Sequence, residues 1–177
     1  IKSIRGSDPN AAVYWLARMI QGGEDVKFIA RRLIILASED IGNADPRALE
    51  ISLNASYSQE RLGSPEGELA LAQTTVYLAV AAKSNAVYKD FKAVMSDVKS
   101  LPSYEVPMHL RNAPTELMKN LNYGKNYTYS HDHLDQLHLQ EFLPDEIKGT
   151  NFYEPKDNKK EKDYKNIIQK VWKGKYE

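Results

Sequence analysis

The stretch "SDPNAAVYWLARMIQGGEDVKFIARRLIILASEDIG", residues 7–42, contains two helices together with the signals that start and end them. Ser7 or Asp8 is suited to cap the first helix, Pro9 to its first turn, and the glycine pair at 22–23 to its end. In the second helix the apolar residues recur at helical spacing, namely Val26, Ile29, Ala30, Leu33, Ile34 and Ala37. Gly42 is expected to end it. The pattern predicts two helices joined by a short loop, the second with a continuous apolar face.

Similar signals for helix starts and ends continue to about residue 100. "ADPRALEISLNASY" begins with Asp45 as a cap and Pro46 as an opening residue. "SPEGELALAQTTVYLAVAA" follows and is apolar on nearly every side, so we expect the most buried helix there. In "SNAVYKDFKAVMSDVKS" the apolar residues fall on one helical face, namely Val87, Phe91, Val94, Met95 and Val98. Five helices and no convincing strand alternation predict a compact all-α domain with several helices.

The pattern changes after Leu101. Prolines at 102, 107 and 114 break the backbone, and only a short helix is expected, over residues 115–121. Residues 122–155 are rich in tyrosine and have little periodicity, which indicates an ordered irregular segment whose aromatic rings need packing partners. A last helix is predicted over residues 159–173. We therefore predict a helical core over 1–100, with an irregular segment and short helices over 101–177 packing on it.

Composition excludes several kinds of chemistry. The chain has no cysteine, so disulfides, thiolate metal sites and cysteine nucleophiles are excluded. Its 24 basic residues balance its 24 acidic residues, although the last 22 residues are markedly richer in lysine. No phosphate-binding glycine loop or hydrolase motif is present, and no apolar run approaches membrane-spanning length. The opening "IKSIRGSDP" resembles the end of a helix, so we expect a fragment of a longer protein without catalytic or cofactor-binding residues of its own.

The stretch "YTYSHDHLDQLH", residues 127–138, contains three of the four histidines. One hypothesis is a metal-dependent phosphohydrolase in which His131 and Asp132, with His109, hold a metal that activates water. The stretch has no helical period, and His131 and His133 would diverge on a helix, so their ligand geometry would not be fixed. We favour hydrogen bonding of His131 and Asp132 to neighbouring backbone in an irregular segment.

Two pairs of polar residues have both a structural and a functional interpretation. Arg111 is suited to bind a phosphate or an acidic partner, or to pair with a carboxylate while Asn112 caps the next helix. Arg31 and Arg32 lie on the polar flank of an amphipathic helix, where they are either solvated or form salt bridges across a subunit interface. Both pairs are candidate oligomer or partner contacts.

The lysine-rich end of the chain raises a third possibility. Lys159, Lys160, Lys170 and Lys173 alternate with aromatic residues, as in nucleic-acid-binding segments, although a solvated outer helix face is the commoner explanation. These four lysines are candidate nucleic-acid contacts, and a basic-tail nucleic-acid-binding module is a further alternative function.

Long motifs give the chain a family resemblance. "SIRGSDPNAAVYWLARMIQGGEDVKFIARRLIILASEDIGNADP", "HLRNAPT", "YGKNYTYSHD" and "LPDEIKGTNFYEP" resemble the C-terminal region of the replication-associated recombination protein A family, also called RarA or MgsA. That family is related to the eukaryotic Werner-helicase-interacting ATPase. The resemblance covers residues 3–155, and the final helix fits it more loosely.

The resemblance implies assembly rather than catalysis for this region. It implies a clamp-loader-like helical oligomerisation domain that follows an AAA+ ATPase domain, and a homotetramer acting in DNA replication, recombination and repair at stalled forks. ATP and Mg²⁺ would belong to the full-length DNA-dependent ATPase, with a cytoplasmic, nucleoid-associated location. Implied partners are single-stranded-DNA-binding protein and DNA at forks or ends. The apolar surface of the helix over 66–82 makes Val76, Tyr77 and Val80 further candidate oligomer contacts.

Overall fold

A computed structural model describes residues 1–133, 135 and 137–176, apart from the side chain of His138. Within these residues the secondary structure is helical and contains no strand, which confirms the predicted all-α class. The α-helices are α1 (Lys2–Arg5), α2 (Pro9–Gln21), α3 (Val26–Leu36), α4 (Arg47–Leu62), α5 (Glu66–Val80), α6 (Ala86–Ser100), α7 (Glu116–Asn120) and α8 (Lys159–Trp172). Short 3₁₀ turns occupy Gly42–Ala44, Met108–Leu110, Leu137–Leu139 and Asp145–Ile147.

Side-chain caps explain where α2 and α3 begin. The Asp8 carboxylate accepts a hydrogen bond from the Ala11 N–H at 2.9 Å, so Asp8 rather than Ser7 caps α2. The Asp25 carboxylate accepts from the Lys27 N–H, also at 2.9 Å. Each bond satisfies one of the free N–H groups of a helix start. Gly22 ends α2 as expected, its N–H donating to the Arg18 carbonyl.

A wide π-helical turn, Ala37–Ile41, continues α3 and ends at Gly42. Gly42 has a φ of +49°, and a Cβ there would lie 2.9 Å from the carbonyl oxygen of Ser84, so only glycine fits. Asp40, in this turn, is a junction of three segments. Its carbonyl accepts from the Ser84 N–H at 2.8 Å, and its carboxylate accepts two bonds from Arg5, the shorter at 2.7 Å.

The core forms around α5, which packs against α1, α2, α3 and α4. Leu71, Leu78 and Ala79 are fully buried on its inner face. Helices α4 and α5 pack tightly where Gly67 lies against Gln59: a Cβ at Gly67 would be 2.7 Å from the Gln59 Cα. This position therefore requires glycine because of the neighbouring helix, and the tight contact brings the apolar faces of α4 and α5 together.

The contacts of the chain divide it into two compact units. The first comprises residues 1–92 and 153–162, and the second comprises 93–152 and 163–177. The sequence analysis placed a division at residue 100 from the change in composition. That division is a different quantity from a division by contacts, and it stays a prediction.

Residues 153–162 belong to the first unit because they are bonded to its other residues. The Glu154 N–H donates to the Asp90 carboxylate, and Lys156 hydrogen-bonds the Asn85 side chain. Asn158 caps α8 by accepting from the Glu161 N–H at 3.0 Å. Glu161 is fully buried, and its carboxylate accepts from the Tyr153 hydroxyl and the Asn158 amide. The start of α8 is thus fixed by polar contacts rather than by an apolar face.

In the second unit, the cap of α7 differs from the predicted one. Thr115, not Asn112, accepts the hydrogen bond from the Met118 N–H at the helix start. The expectation for Asn112 was wrong because α7 begins at Glu116, which places Asn112 too far from the free N–H groups.

Candidate self-association surface

The outer side of α5 carries an apolar stripe. Its exposed residues recur at spacings of three and four, namely Glu66, Leu69, Gln73, Val76 and Val80. Leu69 is 73% exposed and Val80 is 65% exposed, although both are large aliphatic side chains. The stripe lies opposite the buried side of the helix, on which Leu71 and Leu78 have no exposure. Alternate spacings of three and four are those of a helix seam that packs on a partner helix.

Val76 and Val80, two of the predicted contacts, belong to this stripe, whereas Tyr77 does not. Tyr77 is half-buried and packs against the core. Its hydroxyl donates a hydrogen bond to the Asp45 carboxylate at 2.5 Å, and this bond, together with burial, raises the pKa of Tyr77 above its ordinary value. The ring therefore ties α5 to the loop before α4.

The neighbouring helix α4 carries a second outward row of apolar side chains. Leu49, Leu53 and Tyr57, four residues apart, are all exposed. The inner side of α4 is formed by small side chains, including Ala48 and Ala55, which are buried and allow the close packing on α5. Leu49 and Leu53 are therefore only partly covered by their own chain, with 39% and 37% of their surface accessible.

Helix α6 has the most pronounced exposed apolar face. The sequence places Val87, Phe91, Met95 and Val98 on one side of this helix, and all four are exposed. Phe91 is 65% exposed and Val98 is 68% exposed. Only Ala86, at the start of the helix, is buried. An amphipathic helix is normally stabilised by burial of this face, so the face of α6 is a candidate contact surface.

These residues of α4 and α6 were not singled out as candidate contacts from the sequence. The apolar face of α6 was visible there as a periodic pattern, but periodicity does not distinguish a face that packs inside its own chain from one that packs on a partner. In α4, one face carries Leu49, Leu53 and Tyr57 and another carries small residues, and the sequence does not show which of the two faces the core. Only the solvent exposure of these residues in the folded chain identifies the outer face.

Arg31 and Arg32 lie apart from these stripes, on α3. The Arg31 guanidinium lies 5.8 Å from the centre of the Phe28 ring. Arg32 is partly buried at the edge of an apolar groove, and it has no ion pair or hydrogen bond with the residues that the structure describes. The two arginines therefore lie on different sides of α3: Arg32 borders the apolar groove at Trp15, and Arg31 borders a hollow lined by residues of α4.

Arg111 is held within the second unit. Its Nη2 lies 2.6 Å from the Glu105 carboxylate, its Nε donates to the Val106 carbonyl at 2.6 Å, and its guanidinium stacks on Tyr123. The arginine thus bridges the segment before α7 and the turn after it. Asn112 is exposed next to it. The acceptor and the stacking ring already engage Arg111, so its observed role is to hold this irregular segment together.

The metal hypothesis finds no support among the described residues. No three histidine, aspartate or glutamate side chains among residues 1–133, 135 and 137–176 are grouped so that they could hold an ion, with the His138 side chain outside that description. His131 is exposed and its ring lies against Tyr129, with centroids 5.2 Å apart. The ring Nε2 of His109 lies 2.7 Å from the Glu141 carbonyl oxygen, so that nitrogen is engaged elsewhere.

The four candidate nucleic-acid contacts are all exposed on or just after α8, and none forms an ion pair with another described residue. Lys159 and Lys160 belong to the first unit, whereas Lys170 and Lys173 belong to the second. By contrast, Lys162 pairs with Asp157 at 2.8 Å. The charges of the four lysines are therefore available to an external anion.

Membrane insertion through a helix is not indicated by the described part of the chain. None of its helices combines the length and the apolar character that crossing a bilayer requires.

Comparisons with a family model and with known proteins all point to the same family. Residues 6–172 match the family model described as MgsA AAA+ ATPase C terminal. Replication-associated recombination protein A of Coxiella burnetii is 57% identical over 155 residues, which cover 87% of this chain and 35% of that protein. The protein of the same name from Escherichia coli strain K12 is 52% identical, with the same coverage. ATPase WRNIP1 of Dictyostelium discoideum is 43% identical over 156 residues, covering 88% of this chain and 18% of that ATPase.

The chain spans about a third of the length of the first two of these relatives. The family match extends from the end of α1 to the last residue of α8, so it includes both compact units. The resemblance seen in the sequence motifs is thereby confirmed, and the chain belongs to the family of MgsA AAA+ ATPase C-terminal domains, in the replication-associated recombination protein A group.

Proposed function

We propose that this chain is the oligomerisation domain of an AAA+ ATPase that acts at stalled forks in replication, recombination and repair. The observation that carries the proposal is the set of unburied apolar stripes on α4, α5 and α6. A helix face containing Leu69, Val76 and Val80, or Phe91 and Val98, is costly to leave in water, and contact with another copy removes that cost.

A homotetramer fits the arrangement of the stripes. A closed tetramer with dihedral symmetry needs two different self-complementary contacts on each copy. The stripe on α5 and the apolar face of α6 are two separate helical faces, each with the spacing of a helix seam. One copy can thus use α5 to meet one neighbour and α6 to meet another, which closes the assembly without leaving either face in water.

In the full-length protein, nucleotide binding and ATP hydrolysis are assigned to a domain outside this chain. We propose that ATP and Mg²⁺ bind in the AAA+ domain and that this chain brings four such domains together. Single-stranded-DNA-binding protein and DNA at forks or ends are the proposed partners, and the cytoplasm, at the nucleoid, is the proposed location. The names of the relatives, which include replication-associated recombination proteins and an ATPase, support the ATPase and recombination parts of this assignment.

The decisive experiment is the mass of the 177-residue chain in solution across a dilution series. Light scattering should give a tetramer at micromolar concentrations, with dissociation on dilution. The double variant Val76→Ser and Val80→Ser should shift this transition to higher concentration without changing the circular dichroism spectrum. A wild-type chain that is monomeric at all concentrations up to tens of micromolar would contradict the proposal.

A second candidate function is nucleic-acid binding by the lysines of α8. It is favoured by the exposed charges of Lys159, Lys160, Lys170 and Lys173, which form no ion pair with another described residue. Affinity for single-stranded and forked DNA should fall with salt, with a slope proportional to the number of phosphates neutralised. Replacing Lys159 and Lys160 by glutamine should reduce that slope by about two, and replacing Lys170 and Lys173 should do the same. Binding that is undetectable, or insensitive to salt, excludes this function.

A further inference from the structure

A hollow in the second unit, called here the Tyr127 hollow, is formed by residues that belong to none of the apolar stripes. It encloses about 440 Å³, within the roughly 300–1,000 Å³ that small-ligand sites occupy. Its lining comes from the segments 109–113 and 124–127, together with Phe142. All of these residues fall within 93–152, so the hollow belongs to one compact unit.

Hydrogen bonds of the backbone hold the walls of the hollow in place. The Gly124 N–H donates to the Met108 carbonyl at 2.9 Å, which joins the two lining segments. Gly124 has a φ of +71°, and a Cβ there would lie 3.1 Å from the Arg111 carbonyl oxygen, so glycine permits this close approach. The His109 ring, in the wall, donates from Nε2 to the Glu141 carbonyl at 2.7 Å. The hollow is therefore a product of the fold and needs no ligand to form it.

Two aromatic rings line the hollow and are only partly covered. Tyr127 is 45% exposed and Phe142 is 38% exposed. The Phe142 ring is held by Trp172, which lies edge-on to it with the ring centroids 5.9 Å apart. A ring that is held in place and partly exposed offers a surface on which a flat ligand can stack. Every nucleic-acid base has such a flat face, and proteins bind single strands by stacking bases on aromatic side chains.

The polar groups around the hollow fit a nucleotide. Asn112 lines the hollow, is exposed, and forms no side-chain hydrogen bond with another described residue. A side-chain amide can bond the N6 and N7 atoms of adenine at the same time. Lys125 borders a neighbouring hollow that shares the His109 ring, and it forms no ion pair with another described residue. Its exposed charge is therefore available to a phosphate.

We propose that the Tyr127 hollow holds one unstacked base of a single-stranded nucleic acid. The base stacks on Tyr127 and Phe142, the Asn112 amide bonds its edge with a preference for adenine, and Lys125 contacts an adjacent phosphate. This subsite differs from the lysines of α8, which attract phosphates without distinguishing bases. The inference rests on DNA as the proposed partner, because DNA supplies the strand.

The test uses two fluorescein-labelled oligonucleotides of equal charge and about 15 nucleotides. One consists only of abasic nucleotides, and the other carries a single adenine at its central position. Their affinities for the 177-residue chain are compared by fluorescence anisotropy at one salt concentration, so that the phosphate contacts are the same for both. The adenine strand should bind about tenfold more tightly, as expected for one base stacked on aromatic side chains.

Matched variants locate the base. Tyr127→Ser should remove most of the difference between the two strands, whereas Tyr127→Phe keeps the ring and should keep the difference. Tyr129→Ser is the control, because Tyr129 is 55% exposed in the same segment but does not line the hollow. Asn112→Ala should still prefer a base to none, but should bind a central adenine and a central thymine equally. Equal affinity of the wild-type chain for the abasic and adenine strands, or an equal loss in Tyr127→Ser and Tyr129→Ser, overturns the proposal.

Two further arms identify the source of the base and separate this site from α8. Deoxyadenosine monophosphate should bind at least about tenfold more weakly than the adenine strand, because it lacks the neighbouring phosphates. Equal affinity would show that a free nucleotide is the ligand and would overturn the assignment to a strand. Replacing Lys159 and Lys160 by glutamine should weaken both strands alike and leave their ratio unchanged. Failure of both strands to bind refutes DNA as a partner together with the base site, whereas equal binding of both refutes the base site alone.

Discussion

Replacing Phe91 by serine should weaken self-association by a predictable amount. Phe91 is 65% exposed in the single chain. An aromatic side chain offers roughly 200 Å² of surface, so about 130 Å² remains for a partner to cover. At about 25 cal/mol per Å² this area is worth about 3 kcal/mol for each copy. A self-complementary contact contains Phe91 of both copies, so the interface should lose about 6 kcal/mol, which corresponds to a dissociation constant raised about ten-thousandfold. Serine and phenylalanine have similar helix propensities, so α6 itself should be little affected.

The assay is sedimentation velocity over a dilution series from about 100 μM to 10 nM, a range of about four decades, so that Phe91→Ser should be dissociated over most of it. Tyr14→Ser is the matched control, because Tyr14 is an aromatic residue with 57% exposure that lies on α2, outside the stripes. The wild type and Tyr14→Ser should dissociate at the same concentration, and Phe91→Ser at a much higher one. The proposed role of α6 is refuted if Phe91→Ser follows the wild-type curve, or if the control shifts as far.

Three further predictions concern the packing and polar contacts that hold each unit together. Gly67→Ala should lower the free energy of unfolding by about 1–3 kcal/mol, because the new Cβ would lie 2.7 Å from the Gln59 Cα. Asn158→Ala should cost more than the roughly 1 kcal/mol of a lost helix cap, since it also removes the amide that donates to the buried Glu161 carboxylate. Both changes are measured by urea denaturation. Burial alone would raise the pKa of Glu141, but hydrogen bonds from the Leu143 N–H, Lys175 and the Phe142 N–H lower it below its ordinary 4.5. The unfolded carboxyl therefore takes up its proton first as the pH falls, so the stability contributed by Glu141 is complete above pH 4.5 and is lost below it. Glu141→Gln should lessen the fall in the urea midpoint between pH 6 and pH 3.

Each of these predictions has a control on the same chain. Gly6→Ala places a Cβ no closer than 3.3 Å to its neighbours, so it should cost clearly less than Gly67→Ala. Asn166→Ala replaces an exposed asparagine inside α8 and should be neutral or stabilising. Glu116→Gln alters an exposed carboxylate in α7 and should leave the pH dependence unchanged. A loss in a control equal to that in its partner variant would show that the named contact is not the cause.

The sequence predicted the helices well because their ends carry local signals. Asp8 and Pro9 start α2, Gly42 terminates the turn after α3, and the predicted last helix agrees with α8 to within one residue. These signals act through the backbone within a few residues, so they can be read without the fold. The cap of α7 was wrongly predicted because Asn112 and Thr115 are both good capping residues, and the choice between them depends on where the helix begins.

The candidate surface could be predicted only in part. Val76 and Val80 lie on the exposed stripe of α5, but Tyr77, adjacent to them in sequence, turns inward to bond Asp45. A helix that is apolar on nearly all sides does not reveal which side the rest of the chain covers. The apolar groove at Trp15 was not predicted, because its lining brings together residues that are far apart in the sequence, such as Trp15 and Thr75.

The junction at Asp40 has a mechanical consequence. Its carboxylate bonds Arg5 near the beginning of the chain, and its carbonyl bonds Ser84 in the connection that leads to α6. Because both contacts belong to one residue, loss of the Arg5–Asp40 ion pair is expected to loosen the connection before α6 as well as the first turn of the chain.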